Sequence, residues 1–72
     1  MNNIEIGKYI RSKRIEMHLT QKDLANKLNI SFQAISKWET GTTLPDTSIL
    51  LELSDFLEVT VDQILNAGEF RK

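Results

Sequence analysis

Seventy-two residues, 40% of them hydrophobic, describe one small domain: too apolar for a disordered chain and too short for a second core. With no cysteine, disulfides, thiolate metal sites and thiol nucleophiles are excluded, and no apolar run approaches the ~20 residues of a membrane span. The net charge of −1 hides an asymmetry: residues 1–43 carry seven Lys/Arg against four Asp/Glu, residues 44–72 two against six. A polyanionic partner therefore suits the first part of the chain and not the last. A chain of this size buries only about 60% of its unfolded surface, so dimerisation would help it. The N-terminus shows no signal-peptide pattern. A reducing cytosol fits the lack of cysteine.

In chain order, residues 1–4 read as a tail, and a first helix is expected from about Glu5 to Met17. Ile6, Ile10 and Met17 share one face, and Arg14 continues that stripe. An arginine on an apolar stripe needs a partner, because an unpaired buried charge is costly. Lys8, Arg11, Lys13 and Glu16 face water. Leu19 precedes Thr20, which caps a second helix, and Asp23 three positions later makes a capping-box variant. Leu24, Ala25 and Leu28 lie on its inner face. Asn29, which tolerates a left-handed backbone, ends it. Ser31 caps a third helix, about Phe32 to Thr40, with Ile35 and Trp38 inward. A helix, a turn of three or four residues and a helix have the spacing of a DNA-reading helix-turn-helix.

Gly41 terminates the third helix, and Leu44-Pro45 does not continue one. Asp46 caps a fourth helix, Thr47 to about Leu57, with Ile49, Leu50, Leu53, Phe56 and Leu57 as its apolar stripe and Glu52 and Asp55 outward. Thr60 with Gln63 is a capping box for a short fifth helix, with Val61, Ile64 and Leu65 inward. Residues 67–72 form a C-terminal tail around Phe70. No stretch alternates long enough to be a strand. The fold expected is all-α, five helices packed as one domain over residues 5–66.

The ordered set Leu19-Thr20-Gln21, Leu24-Ala25, Ile35-Ser36-Lys37-Trp38-Glu39, Gly41 and Leu44-Pro45 resembles the DNA-binding domains of the lambdoid phage repressor and Cro group, the XRE type. The run Val59 to Leu65 is similar to that family's last helix. The chain departs from the pattern at Asn29, where the family often has glycine. It departs again at Thr42 and Thr43, where many relatives place lysine or arginine against phosphate.

With the third helix in the major groove, Phe32, Gln33, Ser36 and Lys37 face the bases. Gln33 and Lys37, four apart, form one ridge. A glutamine can pair with adenine N6 and N7, a lysine can donate to guanine O6 and N7, and Phe32 can lie against a thymine methyl. Phe32 packed on the neighbouring helix is an equal alternative. The resemblance implies that Gln21 touches backbone phosphate and braces Gln33. Lys22, Arg11, Thr40, Thr42 and Thr43 complete the expected phosphate contacts. It also implies that Arg14 and Glu39 form a buried ion pair joining the first helix to the end of the third, with Trp38 as core.

The expected partner is a palindromic double-stranded DNA operator met by a homodimer, a dimer that so short a chain can form on DNA alone. The fifth helix and the tail through Phe70 are the expected dimer surface. The expected role is transcriptional regulation, as a repressor, in the cytoplasm on the nucleoid. The other class considered is a protein-binding module, an antitoxin or adaptor. No enzyme is expected: His18 is a lone histidine at a helix end, the glycines at 7, 41 and 68 are isolated, and no acid, base and oxyanion donors converge. No metal, cofactor or small-molecule ligand is expected, and no membrane partner.

Overall fold

The structure is a computed structural model and describes residues 2–69. Five helices follow in order: α1 (Asn3–Glu16), α2 (Gln21–Leu28), α3 (Phe32–Glu39), α4 (Thr47–Leu57) and α5 (Val61–Leu65). Each begins at a short polar residue in extended backbone whose side chain takes up free N–H groups. At α2 the box is reciprocal: the Asp23 N–H donates to Thr20 Oγ1 at 3.0 Å and the Thr20 N–H to Asp23 Oδ2 at 2.9 Å. The Thr20 backbone N–H first, and the Thr20 side chain after it, hold the Asp23 carboxyl below the usual carboxylate range. Thr60 and Gln63 do the same for α5.

Two helix ends differ from expectation. α1 begins two residues early, because the Asn2 side-chain oxygen accepts from the N–H groups of Ile4 and Glu5 at 2.9 and 3.2 Å. Asn3 and Ile4 are thus helical and not a tail. At the other end, Met17 is the cap of α1 and not its last turn, and it is half-buried. The chain leaves α1 through His18, exposed and with φ of 60°. Asn29 takes φ of 59° and ends α2, so Asn29 to Ser31 make a three-residue turn into α3.

α1 and α2 both pack on α3, α5 packs on α1 and α4, and α4 packs on α2. The core is Ile6 and Ile10 of α1, Leu24, Ala25 and Leu28 of α2, Ile35 and Trp38 of α3, Leu53 and Leu57 of α4, and Ile64 of α5. Ile49, Leu50 and Phe56 are half-buried against it, and Val61 and Leu65 of α5 are half-buried. Gly7 explains how α1 comes so near α3. A Cβ there would lie 2.2 Å from the Trp38 carbonyl oxygen, so the two helices touch backbone to backbone. Gly41 answers two demands at once: its φ is +81°, and a Cβ would lie 2.8 Å from Ile4 Cγ1. Phe70, placed in the expected dimer surface, lies outside the described residues. Among the described residues no helix is long and apolar enough to cross a membrane.

Candidate nucleic-acid interface

α3 has two sides with different tasks. Ile35 is fully buried and Trp38 is 3% exposed, which fixes the helix inward. Phe32, Gln33 and Lys37 are exposed, with Ser36 half-buried between them. Gln33 and Lys37 stand one turn apart on the outer ridge. Neither the Gln33 amide nor the Lys37 ammonium has a partner among the described residues. These are groups whose hydrogen-bonding capacity is turned wholly outward.

The end of α3 is held by a polar cluster. Arg14 Nε donates to Glu39 Oε2 at 2.7 Å and Arg14 Nη2 to Glu39 Oε1 at 3.0 Å, a two-pronged pair buried from solvent. Arg14 Nη1 donates to the Leu19 carbonyl at 2.7 Å. The hydrogen bond to Glu39 raises the Arg14 pKa further, so the guanidinium stays charged throughout. Gln21 Nε2 donates to the same Glu39 Oε1 at 3.0 Å. One carboxylate therefore ties α1 and α2 to the last turn of α3, and Arg14 also ties α1 to the chain entering α2. No buried side-chain N or O among the described residues lacks a partner.

That cluster changes the expected part of Gln21. Its amide goes to Glu39 and not to Gln33, because a carboxylate only accepts and so draws the NH2 group inward. The residue still opens α2, where free backbone N–H groups favour an anion. Lys22 beside it is exposed, with its ammonium 5.5 Å from the centre of the Phe32 ring. Phe32 is 41% exposed, and its ring lies beside the Lys22 side chain of α2.

Thr40 Oγ1 lies 3.1 and 3.2 Å from the carbonyls of Ser36 and Lys37, and 2.9 Å from Thr42 Oγ1. The Thr42 and Thr43 N–H groups both donate to the Lys37 carbonyl, folding the loop back on the helix end. Thr40 and Thr42 thus share their hydroxyl protons internally, while Thr43 is exposed with a free hydroxyl. Arg11 is exposed on α1. Lys13, expected in water, is half-buried and pairs with Glu16 at 3.3 Å. Among the described residues no three His, Asp or Glu side chains are placed to hold a metal ion.

Three features escaped sequence reasoning. Asn2 with Glu5 carried a cap signature that points to the earlier start. Gly7 inside a helix was a signal too, since glycine there costs stability unless a close approach needs it. The Gln21–Glu39 bond spans 18 positions and had no local mark.

The helix-turn-helix family profile matches residues 10–64. The HTH-type transcriptional activator BcrR of Enterococcus faecalis is 38% identical over 66 residues, 92% of this chain and 32% of that protein. The HTH-type transcriptional regulator ImmR of Bacillus subtilis (strain 168) is 36% identical over 69 residues, 96% of this chain and 54% of that protein. The chain thus spans about a third of the first and about half of the second. Among solved structures, the P22 c2 repressor in complex with a synthetic operator superposes with a TM-score of 0.84 at 34% identity, covering 89% of this chain and 96% of that one. The chain belongs to the helix-turn-helix family, in the phage repressor and Cro (XRE) group.

Proposed function

We propose that this chain binds double-stranded DNA by sequence and regulates transcription, as a repressor, with α3 in the major groove. The observation that carries this reading is the unpartnered Gln33–Lys37 ridge, standing outward on a helix whose other side is locked into the core. Gln33 suits adenine, Lys37 suits guanine, and Ser36 between them can serve either. Phe32, 41% exposed at the helix start, can lie against a thymine methyl. The start of α2, Lys22, Arg11 and Thr43 supply phosphate contacts, with Gln21 fixing how α2 meets the backbone. Thr40 and Thr42 shape the loop, and each donates to phosphate only by giving up an internal bond, Thr40 to the helix carbonyls and Thr42 to Thr40.

Two copies would set their third helices about 34 Å apart on a palindromic operator. The fold's similarity to a repressor solved on operator DNA supports the reading. Such a regulator works in the cytoplasm, on the nucleoid.

The test is selection of bound sites from a random duplex pool by the parent, Gln33→Ala and Lys37→Ala. Each substitution should relax preference at its own base positions, at about 1–3 kcal/mol per lost bidentate pair. Identical selected sites from all three proteins would refute the assignment. A parent that ignores random duplex at low salt would instead favour a protein-binding adaptor.

A further inference from the structure

Lys22 occupies the second position of α2, at the pole where unpaired N–H groups make the helix end positive. An ammonium is disfavoured there and needs another attraction. Phe32 supplies one: Lys22 Nζ stands over its ring, 5.5 Å from the centroid, where the π-face is negative. The ring itself is an anomaly for packing, since it is large, apolar and 41% exposed at the first position of α3. Both side chains line a cleft of about 300 Å³ whose walls include Asn26, Ile30 and Gln33. The cleft opens beside the base-facing ridge.

We propose that Phe32 is a positioning residue for DNA binding, its ring face holding the Lys22 ammonium at the lip of α3 where a backbone phosphate arrives. The inference rests on the DNA-binding reading above. A lysine stem is otherwise free to rotate, and ordering it on contact costs entropy. The ring sets the stem in advance. It engages the charge without consuming the three N–H donors, which stay available to phosphate oxygens. The same phosphate would face the free N–H groups at the start of α2, so cation and helix pole act together. Phe32 thereby contributes to an electrostatic contact although it carries no charge.

The experiment measures affinity for one selected duplex across salt concentration, for the parent, Lys22→Gln, Phe32→Leu and Phe32→Tyr. Lys22→Gln should lower the slope of log K against log salt by about one. Phe32→Leu removes no charge, yet it should lower the slope too, and it should shrink the further effect of Lys22→Gln in a double variant. Phe32→Tyr keeps the ring and should keep the parent slope. Circular dichroism and Trp38 fluorescence verify folding, which these exposed positions should not disturb. A parent-like slope in Phe32→Leu, with affinity reduced equally at every salt, would overturn the proposal and leave Phe32 as a base contact alone. An unchanged slope in Lys22→Gln would also overturn it. A parent with no salt-dependent duplex binding would bring down the DNA-binding reading itself, a distinct outcome.

Discussion

Replacing Glu39 by alanine removes the acceptor of three hydrogen bonds at once, two from Arg14 and one from Gln21. Arg14 is 8% exposed and would keep only its bond to the Leu19 carbonyl. Its guanidinium cannot shed its proton to escape the cost. Breaking one side of such a pair costs about 3–5 kcal/mol. A 72-residue domain has a total stability of about 4–11 kcal/mol, so the variant should lose about a quarter of it or more. In a heat melt this corresponds to a fall of at least about 12 °C. Trp38 is the chain's single tryptophan, is 3% exposed and adjoins Glu39, so its fluorescence in a urea titration reports the loss directly.

Added salt should change the difference little, because the pair is shielded from counterions. The double variant Arg14→Met with Glu39→Leu should recover much of the loss, since it leaves no buried charge behind. A Glu39→Ala variant within about 1 kcal/mol of the parent would refute the reasoning.

Gly7→Ala should destabilise by at least about 2 kcal/mol, even after a gain of ~1 kcal/mol in helix propensity. The new Cβ would meet a backbone carbonyl at 2.2 Å, and neither helix can yield without moving the other; denaturant titration checks this. Asp23 gives a pH signature. Its folded pKa is depressed by the backbone and then the side-chain bond from Thr20, so its contribution is present above the unfolded pKa of about 3.9 and fades as pH falls through the lower folded value. Melts between pH 5 and about pH 2 should show that component in the parent, and Asp23→Asn should lack it.

What could be read from the sequence was what is decided locally. Thr20 with Asp23 and Thr60 with Gln63 are cap pairs three residues apart, and both appear as reciprocal boxes. Asn29 showed the turn because few other residues accept that backbone. Glu58 ends α4 at φ of 60° and gave no such clue, being an ordinary surface residue by type. The inner face of α1 was legible in Ile6, Ile10 and Arg14, all buried, although Ile4 and Ile15 lie opposite and are 54% and 46% exposed. Contacts distant along the chain stayed hidden. Nothing beside Gly7 reveals that Trp38 backs onto it, and nothing beside Lys22 names Phe32 as its neighbour. The outer ridge of α3 was legible only because Ile35 and Trp38 fixed which side turns in.

The division of labour on α3 bears on how such a protein diversifies. Positions 33 and 37 support nothing in the interior, while the anchorage lies with Ile35, Trp38 and the carboxylate at the helix end. A codon change at either outer site alters the chemistry offered to a partner and leaves the scaffold's melting point nearly untouched. Lineages can therefore drift toward new targets in single viable steps, with no compensating repair elsewhere.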